Sequence, residues 1–209
     1  MGCTVSEQLV QGTEAWLRSR LGKVTASRVA DVMAKTKTGP SASRQAYLDQ
    51  LVVEILTGQR ADSFSSTAMA WGTDTEPLAR AAYEARVGEF VDETGFHLHP
   101  RIEQSGASPD GLIGEGLIEI KCPNSATHIE YVVSKRVPAK YVHQMQWQMA
   151  CLGRPWCDFL SYDPRMPREL QMFLVRVKRD DVHIKALENE VEVFLGELNQ
   201  RITQLKEAA

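Results

Sequence analysis

The chain has 209 residues and a formal net charge of −3, and its apolar and charged fractions are 43% and 24%. This length accommodates one domain with a full hydrophobic core, and the composition is that of an ordinary soluble globular protein. The sequence has no run of about 18 or more apolar residues, which argues against a transmembrane helix, and it begins without the apolar segment of a secretory signal. The slight acidity argues against a protein that coats nucleic acid by charge alone.

Four cysteines, at positions 3, 122, 151 and 157, show neither Cys-x-x-Cys nor Cys/His metal spacing. We therefore expect reduced thiols and a cytoplasmic protein with no membrane contact. No internal repeat or low-complexity segment is present.

Hydrophobic periodicity predicts both helices and strands, and we expect an α/β fold in which helices flank a central mixed β-sheet. Helices are predicted over 6–21, from Thr25 or Ser27 to Met33, over 44–57, from Thr73 or Thr75 to Gly88, and over 126–135, 139–152 and 181–206. Strands are predicted at 90–91, 96–99, 117–121, 156–162 and 171–177, and loops at 35–43 and 59–70. We interpret 1–209 as a single domain with a helical part over about 1–88, a sheet core over about 89–180 and a C-terminal helix over about 181–206.

The stretch from Leu117 to Lys121 alternates apolar and charged residues, as a half-buried strand does. Because strand side chains alternate between faces, Glu119 and Lys121 share one face, while Ile118 and Ile120 enter the core. An acid and an amine aimed the same way form either a surface ion pair or a site.

The glycines that precede this strand favour a functional site over a surface ion pair. If Gly114-Glu115 is a two-residue hairpin turn, residue 113 pairs with 116, and Asp110 lies opposite Glu119. Directly opposed residues have Cβ atoms only about 4.5–5.5 Å apart, and two carboxylates that close repel unless a cation lies between them. The pattern predicts an acid pair beside a lysine that suits a hard divalent cation. A longer turn that uses Gly116 would shift this register.

These residues resemble a known family. Asp110 after Pro109, followed by Glu119-Ile120-Lys121, is similar to the signature of the PD-(D/E)xK nucleases. Longer matches resemble the phage lambda exonuclease family, a YqaJ-like viral recombinase group: Arg-Leu-Gly-Lys-Val-Thr-Ala-Ser (20–27), Trp-Gly-Thr-Asp-Thr-Glu (71–76), Ser-Pro-Asp-Gly-Leu (108–112), Glu-Ile-Lys-Cys-Pro (119–123) and Tyr-Asp-Pro-Arg-Met (162–166). The resemblance implies a restriction-endonuclease-like core.

The resemblance also implies roles for particular residues. A site with one or two Mg²⁺ ions, for which Mn²⁺ can substitute, would use Asp110, Glu119, the backbone carbonyl of Ile120 and Glu76 as ligands. Lys121 would orient the attacking water or neutralise developing charge. The matching residues that line the active site are Tyr141 and Gln144, and those that bind the 5′-phosphate of the cut strand are Arg20, Ser27 and Ser108.

What the resemblance implies for partners is equally specific. Members are ring-shaped homotrimers that degrade the 5′-ended strand of linear double-stranded DNA processively and leave a 3′ single strand. They work beside a single-strand annealing recombinase in the cytoplasm of a phage-infected or bacterial cell. In such an enzyme the N-myristoylation pattern formally matched by Met1 to Ser6 is interpreted as a chance match.

Several alternatives stay open at this point. A PD-(D/E)xK endonuclease or resolvase, or a catalytically inactive DNA-binding accessory, would carry much of the same pattern. Ser27 has the alternative role of a plain helix cap, and Glu76 that of an acid complementing a helix dipole. The glutamines of 139–152 fit a surface helix edge equally well. His97 and His99 are expected to be exposed strand histidines rather than metal ligands, and the Asp163–Arg168 turn either meets phosphate or is only rigid.

Overall fold

The computed structural model describes residues 10–37, 39–60 and 67–208. The myristoylation-like start, the first part of the helix predicted over 6–21 and residues 61–66 of the loop predicted over 59–70 lie outside these residues. The helices are α1 (Glu14–Arg20), α2 (Val29–Met33), α3 (Ala42–Thr57), α4 (Thr67–Val87), α5 (Ser125–Ser134), α6 (Ala139–Leu152) and α7 (Asp181–Glu207). The strands are β1 (Val24–Thr25), β2 (Lys35–Thr36), β3 (Gly39–Pro40), β4 (His97–Leu98), β5 (Ser105–Ala107), β6 (Gly111–Ile113), β7 (Gly116–Lys121), β8 (Trp156–Tyr162) and β9 (Met172–Lys178).

The central sheet has the strand order β6-β7-β8-β9. Strands β7 and β8 run parallel, whereas β6 pairs with β7, and β8 with β9, in antiparallel fashion. A smaller sheet of order β1-β5-β4 joins the N-terminal part to the core, with β1 and β5 parallel. The predicted α/β class with a mixed central sheet is confirmed.

Strand β7 is buried on both faces, so the prediction of a half-buried strand was wrong. Ile118 and Ile120 pack with α4 residues such as Tyr83. On the opposite face, Leu117 packs with Met145 of α6 and is fully buried. The alternation of apolar and charged residues reflects a charged group held inside the protein rather than a solvated face, because helices cover both sides of this partly parallel sheet.

A separate helical core joins α2, α3, α6 and α7 around Trp147. The apolar stripe of α7, including Leu187, Val191 and Phe194, is fully buried there, as a docking helix requires. The core fixes α6 between the C-terminal helix and the central sheet. Among the described residues, no helix is long and apolar enough to cross a membrane.

Helix α4 begins at Thr67, upstream of the start predicted at Thr73 or Thr75. Pro77 therefore lies inside the helix rather than in its first turn, although proline removes one intrahelical hydrogen bond. Ala79 and Tyr83 are fully buried against the sheet, and this packing favours a continuous helix over the local stop signal. Glu76 consequently lies in mid-helix and not at a dipole-bearing terminus.

Three further local predictions were wrong. Residues 35–43 include the short antiparallel pair β2–β3 instead of only a loop. The strand predicted at 90–91 is absent from the described strands, and Phe90 is 87% exposed, although the adjacent Asp92 forms an isolated bridge to Leu112. His99 is buried, with its ring stacked on Trp147 at 4.8 Å and its Nε2 3.3 Å from Glu188 Oε1.

Candidate active site

The β6–β7 hairpin has the predicted register. Gly111 pairs with Ile118, Leu112 with Leu117 and Ile113 with Gly116, which leaves Gly114-Glu115 as the turn. Gly114 adopts φ +48°, a left-handed conformation that glycine reaches without a Cβ penalty. Asp110 directly precedes β6, and its Oδ2 accepts a hydrogen bond from the Ile120 N–H at 2.6 Å. The carboxylate is thus tied to the backbone of β7, beside Glu119.

Glu119 is fully buried, and both of its oxygens accept hydrogen bonds. Gln144 Nε2 donates to Oε1 at 2.6 Å, and Gln148 Nε2 donates to Oε2 at 2.5 Å. Lys121 Nζ forms an ion pair with Oε1. A buried carboxylate needs this full set of donors, because an isolated buried charge is very costly.

Lys121 connects the acid pair to Tyr141. Its Nζ lies 5.5 Å from the centroid of the Tyr141 ring, and Lys140 Nζ lies 4.7 Å from the same centroid. Burial alone would lower the pKa of Lys121, but the carboxylates of Glu119 and Asp110 raise it above its ordinary value. Lys121 therefore remains a cation that donates hydrogen bonds.

Asp110 is held in an unfavourable electrostatic position for a carboxylate. Its burial, followed by the negative charge of Glu119, raises its pKa well above the ordinary value, and Glu76 acts in the same direction. Lys121 and the Ile120 N–H oppose this shift. Two carboxylates enclosed together repel each other, and a cation bound between them would relieve this repulsion.

Glu76 lies near this pair but is held by a different partner. Its Oε1 accepts from Arg80 Nη2 at 2.9 Å, and Arg80 also pairs with Glu93. In the described ranges, no three His, Cys, Asp or Glu side chains form a ready-made metal-ligand group. The carboxylate of Glu76 faces a cavity of about 530 Å³ that adjoins the site at Asp110.

The residues predicted to bind a phosphate lie on the other side of Asp110. Ser108 Oγ accepts from Trp16 Nε1 at 2.9 Å and from Arg20 Nη1 at 3.4 Å, and the Arg20 guanidinium stacks on Trp16 at 4.1 Å. Burial lowers the pKa of Arg20. Ser27 Oγ is 3.3 Å from Thr25 Oγ1, and Ser27 lies inside the short 3-10 helix Ala26–Arg28 and does not cap it.

One cavity of about 200 Å³ joins these groups. Among the predicted residues, its walls include Arg20, Ser27, Ser108, Asp110, Glu119, Lys121 and Gln144. Tyr141 does not line it but supports Lys121 from behind, and Glu76 lines the neighbouring cavity. The fold therefore brings seven of the nine predicted side chains to one space.

Two residues of the site were not found from the sequence. Gln148 is fully buried against Glu119, one helical turn after Gln144, so that both amides face the same carboxylate. Gln11 spans the two cavities, and its Nε2 donates to the carbonyls of Thr94 and Pro109 at 2.9 and 2.7 Å. The i, i+4 spacing of Gln144 and Gln148 was the available signal for the first, whereas the sequence carried none for Gln11.

Replacing Gln148 with leucine is expected to lower kcat by about 10–100-fold, the range found when an outer partner of a site ligand is removed. The variant leaves Glu119 Oε2 without its donor and frees the carboxylate to rotate. Steady-state kinetics at several divalent-cation concentrations measure this effect. Gln146 serves as the control, because its amide bonds to Lys178 O and not to the site. A Gln148→Leu enzyme as active as a Gln146→Leu enzyme would contradict this role.

The acid pair and the lysine lie on a hairpin of a mixed sheet flanked by helices, which is the arrangement expected of an enzyme with the PD-(D/E)xK nuclease signature. The model of the YqaJ-like viral recombinase domain matches residues 15–155. The chain belongs to this family.

Solved structures agree with the family assignment. The alkaline exonuclease LHK-Exo from Laribacter hongkongensis is 52% identical, with 94% of this chain and 97% of that chain covered and a TM-score of 0.88. LHK-Exo in complex with dAMP gives the same identity and coverage, with a TM-score of 0.89. A phage-related exonuclease from Haemophilus somnus 129PT shares the fold at 16% identity, covering 88% of this chain and 96% of that chain, with a TM-score of 0.72. The comparison with curated proteins gave no match.

Proposed function

We propose that the chain is a Mg²⁺-dependent exonuclease that degrades the 5′-ended strand of linear double-stranded DNA and leaves a 3′ single strand. The observation that carries this proposal is the shared cavity, in which a candidate phosphate group of Arg20, Ser27 and Ser108 faces the acid pair and Lys121. A group that holds a terminal phosphate next to a group that cuts a phosphodiester removes nucleotides from an end. An endonuclease has no need of the first group.

Arg20 supports the presence of an anion. Its side chain is half-buried and forms no ion pair with a carboxylate in the part of the chain that the structure describes. A buried cation without a counter-ion is costly, and the planar donors of arginine match phosphate oxygens. The hydroxyls of Ser27 and Ser108 lie on the same cavity and complete a polar cradle for a 5′-phosphate.

The oxygen donors beside the cavity fit a hard divalent cation. Asp110, Glu119 and the backbone carbonyl of Ile120 would hold Mg²⁺ or, in its place, Mn²⁺, because these ions prefer carboxylate and carbonyl oxygens. The like charges that raise the pKa of Asp110 are the reason that a cation is favoured there. Glu76 would join as a further ligand to one or two ions by exchanging its ion pair with Arg80. A bound ion supplies an activated water and neutralises charge on the phosphate.

The surrounding side chains then have distinct tasks. Lys121, which remains protonated, orients the attacking water or stabilises negative charge that develops on the phosphate. Gln144 and Gln148 hold the Glu119 carboxylate in one orientation. The Tyr141 ring contacts the ammonium groups of both Lys121 and Lys140, and this contact helps to fix the direction of the Lys121 amine.

We extend the proposal to the assembly. A homotrimeric ring around DNA would keep an acidic chain on its substrate without strong electrostatic attraction to the DNA phosphates. The 3′ single strand would pass to a single-strand annealing recombinase in the cytoplasm. Membership of the YqaJ-like viral recombinase family supports a role in recombination. The complex of the relative LHK-Exo with dAMP supports mononucleotides as the released product.

The test is digestion of linear duplex DNA labelled at either end, beside a closed circle, with Mg²⁺ or with EDTA. Loss of label from the 5′ end that requires Mg²⁺ and spares the circle is the expected result. Cutting of the circle would identify an endonuclease. Well-folded protein that cuts neither substrate would identify a DNA-binding accessory.

Replacing Arg20 with glutamine is expected to reduce digestion of 5′-phosphorylated duplex by about 10–100-fold, since one charge-assisted hydrogen-bond pair to phosphate is worth about 1.5–3 kcal/mol. Digestion of 5′-hydroxyl duplex should change much less. Initial rates on the two substrates measure the preference. Arg18→Gln is the matched control, because Arg18 is on the same helix, is exposed and pairs with Glu14. An equal loss on both substrates would indicate general DNA binding instead.

A further inference from the structure

A second cavity, of about 310 Å³, continues from the candidate phosphate group away from the acid pair. It shares Trp16, Arg20, Thr25 and Ser27 with the cavity of the active site. We call it the rear cavity; its own lining includes Lys23, Arg28, Tyr47, Gln50, Glu54 and Arg60. A phosphate held by Arg20 and Ser27 would therefore stand at the boundary between two spaces and not at a closed end.

The rear cavity carries an excess of positive charge. Among the described residues that line it, Arg20, Lys23, Arg28 and Arg60 are cations and Glu54 is the one carboxylate. That carboxylate is already occupied, because it accepts from the Gly22 N–H at 3.0 Å and from Gln50 Nε2 at 2.8 Å.

Two of the cations lack a carboxylate partner in the described chain. Arg28 pairs with Asp31 at 2.5 Å, but neither Lys23 nor Arg20 forms an ion pair with a described carboxylate. Burial lowers the pKa of Arg20, and the like charge of Arg60 adds to this shift, while Tyr47 and Glu54 oppose it. Arg20 and Lys23, which have no carboxylate partner among the described residues, favour an anion in this half-enclosed space.

The aromatic walls offer little surface on which a nucleobase could stack. One face of Trp16 is covered by the Arg20 guanidinium at 4.1 Å, and one face of Tyr47 by the Arg28 guanidinium at 4.2 Å. Tyr47 is also buried, so these rings are poorly placed for the stacking by which proteins usually hold bases outside a duplex. The remaining walls present ammonium and guanidinium donors, which suit phosphoryl oxygens.

We infer that the rear cavity binds a second phosphoryl group, attached to the terminal 5′-phosphate, so that the enzyme accepts DNA ends bearing a 5′-pyrophosphate or longer phosphate chain. This inference rests on the proposed end recognition by Arg20 and adds a subsite for the chemical class of the end. Lys23 and Arg60 are the specificity-determining residues. The same subsite would take free pyrophosphate, and the experiment separates the two sources.

The first arm measures binding of orthophosphate, pyrophosphate and tripolyphosphate to the full-length protein by calorimetry, with EDTA and without DNA. Pyrophosphate should bind at least about tenfold more tightly than orthophosphate, the effect of one added charge-assisted contact. Lys23→Gln and Arg60→Gln should each reduce this ratio to about threefold or less. Lys206→Gln, on the exposed end of α7, should leave the ratio unchanged.

The second arm compares digestion of duplexes with 5′-triphosphate and 5′-monophosphate ends. The wild type should cut the triphosphate end at least as fast as the monophosphate end. Lys23→Gln should slow the cutting of the triphosphate end more than that of the monophosphate end. Tight pyrophosphate binding combined with poor cutting of the triphosphate end would assign the subsite to a free anion and overturn the end-specific inference. Equal affinity for ortho- and pyrophosphate would overturn the subsite itself while leaving the proposed exonuclease intact, since neither catalysis nor metal enters the binding arm.

Discussion

Replacing Asp110 with asparagine is expected to abolish strand cutting, with kcat reduced by about 10³-fold or more, the scale on which single catalytic groups act. The substitution removes one of the two charges that would hold the divalent cation. It leaves the shape of the side chain unchanged, and the asparagine carbonyl oxygen can still accept from the Ile120 N–H. The loss should therefore appear in the rate and not in the fold.

Although Asp110→Asn should lose activity, it should be at least as stable as the wild type in the absence of metal. Because enclosure with Glu119 raises the pKa of Asp110, the folded state binds a proton more readily than the unfolded chain does. The contribution of Asp110 to stability is then present below its unfolded pKa and is lost as pH rises through the folded pKa. Asp110→Asn cannot lose stability in this way. Without metal, its Tm should therefore equal or exceed that of the wild type near pH 7 to 8, and the difference in Tm should be smaller near pH 4.

Thermal unfolding in EDTA across this pH range measures the effect, together with digestion in Mg²⁺. Asp92→Asn is the matched control, since Asp92 bridges to Leu112 of the same hairpin through its backbone and has an exposed side chain. The control should cut normally. An Asp110→Asn enzyme that cuts at the wild-type rate would show that the acid pair is not the site.

The hairpin could be predicted because its determinants are local. Gly114-Glu115 sets the turn length, the turn length sets the register, and the register places Asp110 opposite Glu119. The same holds for α6 and α7, whose apolar spacing alone predicts helices. The family resemblance then selected residues that are scattered along the chain, and the fold brings most of them to one cavity.

The predictions that were wrong or missing concern residues whose environment depends on packing between distant segments of the chain. The start of α4 was misplaced because Pro77 signals a helix start locally, whereas burial of Tyr83 against the sheet is a tertiary effect. His99 was predicted to be exposed, since nothing in the sequence shows that Trp147 and Glu188 enclose it. Gln148 shares a helical stripe with Gln144, but its partner could not be identified until the position of Glu119 on the facing sheet was known.

The removal of Lys121 provides the sharpest test of how the buried charges are balanced. Lys121→Ala is expected to abolish cutting and also to destabilise the metal-free protein, because Glu119 is fully buried and would lose its counter-ion. Breaking a buried pair on one side costs about 3 kcal/mol or more, which for a chain of this size lowers Tm by about 6–12 °C. The full burial of Glu119 is the reason that this substitution should affect the fold as well as the rate.

A divalent cation should reverse part of that loss. If Asp110 and Glu119 are the ligands, Mg²⁺ or Mn²⁺ replaces the missing positive charge and binds the folded state alone, so Tm rises with its concentration. The rise should be larger in Lys121→Ala than in the wild type, and absent in Lys121→Ala combined with Asp110→Asn. Lys178→Ala, an exposed lysine of β9, controls for the general effect of removing a lysine. An equal response to the cation in all four proteins would place metal binding elsewhere, because the acid pair would then contribute nothing to it.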